Sequence, residues 1–333
     1  MNEPLIQRCS GFARSEELDP AGTAGSYRGY VALEVPLPWP REITEHAEIA
    51  PAAAALTAAG LRVQGVVPGA ARSPEDRWMA TFVRPPGPFD RYRATAWSVP
   101  AGAVTDALAG FAEGAGRPPA AVENADPADA GTDPGPVVSA GPAQRVADGE
   151  PAGRHVLVCT HGARDACCGS LGTRLSAALP GLGAGVHVWR TSHTGGHRFA
   201  PTAVLLPEGT VWAYLDLDTL VGVSDRTLDP GEAASRYRGC TGLDGAEVQA
   251  VEREALRNVG WSWLDHRRHG RVLGRDGGQT RVRLDGVAPG GAPTSFEATV
   301  EVNRLVPVPD CGKPLDQAAK SAPELRVRDF VAA

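Results

Sequence analysis

The sequence predicts an α/β protein of two related β-α-β-β-β-α halves, with an α+β segment appended. Three observations carry this expectation. Short strand-like runs alternate with stretches of helical spacing. The same order occurs on both sides of one Pro/Gly/Ala/Asp-rich stretch. After the second half the pattern changes to a long amphipathic helix followed by a hairpin.

The elements follow in order. GYVALEVPLPWP (Gly29–Pro40) is a strand-like run ending in prolines. Residues 44–59 are a helix candidate, with Pro51 at a kink or at the true start. LRVQGVV (61–67), RWMATFV (77–83) and RYRATAW (91–97) are strand-like. PAGAVTDALAGFAEG (100–114) has helical spacing at Val104, Leu108 and Phe111. Residues 1–114 are thus a first domain. Residues 115–153 carry almost no large apolar residues and cannot bury a core, so they read as a flexible linker.

The second domain, 154–239, opens with the buried-type strand RHVLVC (154–159). GSLGTRLSAAL (169–179) is a helix with Leu171, Leu175 and Leu179 on one face. GVHVWR (185–190) is a strand, and TAVLLP and TVWAYLD straddle the hairpin signal Glu208-Gly209. PGEAASRYRG closes as a short helix, and Asp216 and Asp218 read as turn residues. This order is compatible with a thioredoxin-like fold. From residue 240 to 333, GAEVQAVEREALRNVGWSWL is an amphipathic helix. TRVRLDGV and SFEATVEVNRLVPVP then form a hairpin.

Composition narrows the function classes. The chain has 333 residues and a net charge of −6, which argues against a nucleic-acid groove. MNEPLIQRCSGFARSEELD has no basic or apolar signal region, and no run of about 18 apolar residues marks a membrane span. A cytoplasmic location without membrane or nucleic-acid partners is expected. Six cysteines are present: Cys9, Cys159, Cys167, Cys168, Cys240 and Cys311. In a reducing compartment, the cluster at 159–168 reads as metal-binding or redox-active rather than as disulfides. Cys9, Cys240 and Cys311 receive no role.

Two loops carry the chemistry. CTHGARDACCG (159–169) follows one strand, and HTGGH (193–197) follows its neighbour. In α/β folds, sites are built on loops beyond the C-terminal strand ends. Thiolate and imidazole together suit zinc, copper or iron. Gly195 and Gly196 give the second loop the freedom to turn. Zinc-finger spacing is missing, because eight residues separate Cys159 from Cys168 and the histidines sit on a glycine loop. His161 is an alternative ligand. His155 and His187 read as strand residues, and His266 and His269 as a solvated basic turn.

These two loops, with GTAGSYRGYVALEVPLPWP near the N-terminus, resemble the sucrase/ferredoxin-like family over about residues 9–240. The resemblance implies a thioredoxin-like ferredoxin fold. It implies a [2Fe-2S] cluster with non-Rieske ligation by two cysteines and two histidines. The matching ligands would be Cys159, Cys168, His193 and His197. Cys167 is the alternative one residue out of register. Electron transfer to an unidentified redox partner protein follows as the function. No carboxylate pair is recognisable for glycoside hydrolysis. Around the cluster, Arg164 and Asp165 are candidates to brace the loop as an ion pair, and Arg198 to offset charge. Thr160, Thr191, Ser192 and Thr194 are candidates to donate hydrogen bonds to sulfur. Two other classes stay open. One is a thiol-redox enzyme using Cys167 or Cys168, although C-x-x-C is missing. The other is a zinc-stabilised binding module.

Overall fold

A computed structural model describes residues 8–69, 75–116, 144–145, 153–179, 182 and 185–333. Most of the linker expected over 115–153 lies outside these residues. The strands are β1 (Gly29–Glu34), β2 (Leu61–Val66), β3 (Asp76–Val83), β4 (Arg93–Pro100), β5 (Gln144–Arg145), β6 (Arg154–Cys159) and β7 (Val186–Thr191). They continue with β8 (Ala203–Leu206), β9 (Thr210–Trp212), β10 (Tyr237–Cys240), β11 (His269–Asp276), β12 (Gln279–Val287), β13 (Pro293–Pro307) and β14 (Ser321–Ala332). The helices are α1 (Cys9–Ser15), α2 (Ala53–Ala58), α3 (Val104–Gly116), α4 (Thr173–Ala178), α5 (Leu217–Asp225), α6 (Pro230–Arg236) and α7 (Ala246–Val259).

The chain is a mixed α/β protein. A ten-stranded mixed sheet runs β10-β9-β8-β6-β7-β2-β1-β3-β4-β5, and a four-stranded antiparallel sheet runs β11-β12-β13-β14. Within the large sheet, β1 is parallel to β2 and antiparallel to β3, which is antiparallel to β4. Likewise β6 is parallel to β7 and antiparallel to β8, which is antiparallel to β9. The two runs meet at one antiparallel pair, Val66 with Thr191.

The apolar runs are continuous because the sheet is covered on both faces. Every residue of β1 is buried. Tyr30 and Ala32 enter one core with the second half, whereas Val31 and Leu33 enter another with α2 and α3. That alternation is the period of a strand. Val248 and Val251 of α7 and Val282 and Leu284 of β12 join the first of these cores. No helix among the described residues is long and apolar enough to cross a membrane.

Four expectations need correction. Asp216 and Asp218 are not turn residues but open a helix. Asp216 caps α5, accepting from the Thr219 amide at 2.8 Å, while Thr219 Oγ1 accepts from the Asp216 amide at 2.9 Å. The signal was obscured because threonine stands where a capping box usually carries Glu or Gln. The helix expected to end at Gly239 stops at Arg236, and the chain continues as β10 on the sheet edge. The expected C-terminal hairpin gains two flanking strands. Neither β11 nor β14 shows a clean apolar alternation, since both are mostly exposed. His269 begins β11 rather than lying in a turn.

Candidate metal centre

The parallel pair β6–β7 builds the centre. Cys159, the last residue of β6, is the register partner of Thr191, the last of β7. The cysteine loop and the histidine loop therefore leave the sheet side by side. After the cysteine loop the chain re-enters helix through one wide turn, Cys168–Gly172, before α4. Close approach explains it. A Cβ at Gly172 would lie 1.8 Å from the Cys159 carbonyl oxygen, so only glycine lets the helix pack against the cysteine strand.

Cys159 Sγ, Cys168 Sγ and a ring nitrogen of His193 lie within 4.8 Å of one another. Both cysteines are fully buried. His193 Nδ1 is 3.9 Å from Cys159 Sγ. The Cys168 thiol, donating to Cys159, holds the Cys159 thiol well below its ordinary range, with His193 adding to the effect. Cys168 is correspondingly pushed up. Two cysteine sulfurs and an imidazole thus converge on one point, a donor set suited to zinc or iron.

His197 stands apart from the trio. Its ring centroid is 6.2 Å from that of His193, and its Nδ1 lies 3.0 Å from Asp165 Oδ2 and 3.3 Å from Cys9 Sγ. Burial pulls the Asp165 carboxyl upward. The hydrogen bond and charge of His197 and the amide of Cys168 outweigh it, holding the group down at about 2. An Nδ1–H donating to a carboxylate fixes the tautomer that leaves Nε2 for a metal.

The HTGGH loop is positioned from behind. Gly195 and Gly196 both take positive φ, +87° and +67°. The fully buried Arg238 donates to the Gly195 carbonyl at 3.0 Å and to Thr23 Oγ1 at 3.0 Å. Burial and the nearby Arg198 lower its pKa to about 10. Arg62 donates to the His193 carbonyl at 2.7 Å. Sequence reading missed Arg238 and Arg62. An arginine inside a strand looks solvent-facing until the packing is known.

His161 is engaged at both nitrogens. Nε2 is 2.9 Å from the Pro40 carbonyl, and Nδ1 accepts from the His193 amide at 3.2 Å. It acts as a strut under the histidine loop rather than as a free ligand. The brace expected between Arg164 and Asp165 does not form, because Arg164 pairs with Glu42 of the first half. Arg198 lies over the Phe199 ring at 4.6 Å with its Nε buried and unpartnered. The four expected sulfur donors engage other groups instead. Thr160 reaches the Thr191 carbonyl, Thr191 the Gly65 carbonyl, and Thr194 pairs with Thr202. Ser192 Oγ accepts from the Gly65 amide.

A second grouping adjoins the first. Cys9, Cys167 and Cys311 gather around Asp165. All six cysteines are free thiols, and Cys240 is buried away from both groupings against the Glu208 carbonyl.

Fold and site together define a mixed α/β protein with groupings of thiol, imidazole and carboxylate that could hold a metal ion. The chain belongs to the sucrase/ferredoxin-like family, whose model matches residues 20–239. No curated protein and no solved structure matches it.

Proposed function

We propose that this chain is an iron–sulfur electron carrier. It would hold a [2Fe-2S] cluster through Cys159, Cys168, His193 and His197, with the two equivalent strand orders as related thioredoxin-like halves. One observation carries the reading. Two buried thiols and His193 already converge, while Asp165 turns the Nδ1 of the fourth residue away and leaves its Nε2. Family membership supports it.

When bound, such a cluster supplies one-electron transfer. The chain's own residues set its environment. Two neutral imidazoles in place of thiolates remove negative charge, so the reduced state costs less. The potential then lies above the roughly −400 mV of all-cysteine plant-type ferredoxins. Arg238 and Arg62 hold the loop carrying the imidazoles, and burial of Cys159 and Cys168 keeps water from the sulfurs. The electron donor and acceptor would be proteins docking near the half-buried His193 and His197.

Single substitutions test the ligand set. C159S, C168S, H193A and H197A should each lose or shift the visible absorption and reduce bound iron. C167S should keep both. Retention of an unchanged spectrum by H193A and H197A would defeat the assignment. A second reading, a thiol-redox pair, draws on the close approach of the buried Cys159 and Cys168 sulfurs. It predicts colourless protein inactivated by alkylation.

A further inference from the structure

The second grouping is built by packing from distant parts of the chain. α1 carries Cys9 at its first turn. Phe12 and Ala13 of that helix pack with Phe199, Tyr214 and Val306, so α1 and the end of β13 lie over the turn beginning at His197. The chain leaves β13 and presents Cys311 in the next turn. Cys167 arrives from the cysteine loop. Cys9 Sγ is 3.2 Å from Cys311 Sγ, and Cys311 Sγ is 2.9 Å from Cys167 Sγ. These pairs are separated by 302 and 144 residues.

Asp165 closes the group. Its Oδ1 lies 3.5 Å from Cys311 Sγ and 3.7 Å from Cys9 Sγ. The same oxygen accepts from the amides of Cys167 and Cys168, at 2.9 and 3.3 Å, which locks the carboxylate in place. Cys9 and Cys167 are fully buried and Asp165 nearly so. One ligand atom from each of the four residues lies within 4.8 Å of the other three. A cation at their centre would be within reach of all four.

We propose that Cys9, Cys167, Cys311 and Asp165 form a second metal centre, a closed structural site for zinc, adjoining Cys159, Cys168 and His193 but separate from them. Three thiolates and one carboxylate are a four-ligand zinc set. Tetrahedral Zn–S bonds of about 2.3 Å put sulfurs roughly 3.8 Å apart, so a small spreading of the three thiols admits the ion. The sequence separations give such a site a purpose. It fastens α1 and the turn at Cys311 over the cysteine loop. Cys9 and Cys311 both lie outside the matched stretch 20–239, so the centre is a property of this chain rather than of the family match. The proposal rests on its own four residues and does not need the cluster.

The neighbouring cysteines Cys167 and Cys168 give the test. Protein purified anaerobically with Zn²⁺ supplied is assayed for zinc, iron and acid-labile sulfide on the same sample. The wild type should hold about one zinc per chain. C167S should lose zinc and keep its iron, and C168S should lose iron and keep zinc. C311S, on a partly exposed turn, repeats the zinc test where C167S fails to fold. Wild-type protein free of zinc would overturn the proposal. So would zinc retained by C311S, or a disulfide among these three cysteines in peptide mapping without reductant. An iron-free protein whose zinc is lost in C167S and C311S but not in C159S would overturn the cluster alone.

Discussion

Asp165 Oδ2 lies 3.0 Å from His197 Nδ1, although α4 and β7 separate the two residues in sequence. The carboxylate is itself fixed by two backbone amides from Cys167 and Cys168. A histidine so oriented presents only Nε2. D165A should therefore loosen metal binding by about 10- to 100-fold, the range for losing such an orienting partner. Iron bound per chain against a competing chelator checks this. Equal retention by D165A and wild type would show that His197 needs no orientation.

Gly172 sets the distance between the helix and the cysteine strand. Its φ of −67° is ordinary, so the requirement is steric alone. Alanine would place a Cβ against the Cys159 carbonyl. G172A should lower stability by about 1–3 kcal/mol, as overpacking does, and reduce metal content with it. Denaturant unfolding and iron assay on G172A and on G102A, whose Cβ meets nothing within 4 Å, separate the effect from a general glycine penalty.

How far the site was legible depended on the residue. Cys159, Cys168 and His193 were readable because parallel neighbouring strands must end on the same edge, and the motif sits at those ends. Asp165 was readable as important but was given the wrong partner. Its neighbour Arg164 is exposed enough to reach Glu42 in the other half, a contact no local spacing reports. Cys9 and Cys311 had no readable role because their meeting is made by the packing of α1 and β13. The helix α5 was missed through an atypical capping residue. Strands β11 and β14 were missed because an exposed strand lacks the alternation that betrays a half-buried one.

Glu252 and Arg268 form a fully buried ion pair between α7 and the segment leading to β11. Glu252 also accepts from Tyr237 Oη at 2.9 Å and from the Cys240 amide at 3.1 Å. Removing one partner strands the other charge in the core. E252A should cost about 3–5 kcal/mol, whereas exchange of both residues for apolar ones should cost much less. Urea unfolding of E252A, R268M and the E252L/R268M double variant measures the difference. Additive losses in the double variant would contradict the pairing.

His155 gives the acid side of the stability curve. Burial, and secondarily the stacked His187, lower its pKa from the ordinary 6.5 to about 4. Its Nδ1 accepts from Trp189 Nε1 at 3.0 Å, so protonation there would also break a hydrogen bond. The native state binds fewer protons than the unfolded one between these values. Its contribution is complete above about pH 6.5 and is lost as pH falls through 4, an order of 3 kcal/mol in all. H155F keeps the aromatic packing and should show a shallower loss of unfolding free energy between pH 6.5 and 4. Parallel curves for H155F and wild type would remove His155 as the cause.

The [2Fe-2S] assignment stands or falls on the visible spectrum of anaerobically purified protein, with iron and acid-labile sulfide assayed on the same sample. A red-brown protein with about two irons and two sulfides per chain, the stoichiometry of a [2Fe-2S] cluster, is the expected result. A colourless protein that takes up neither iron nor sulfide on reconstitution would contradict it.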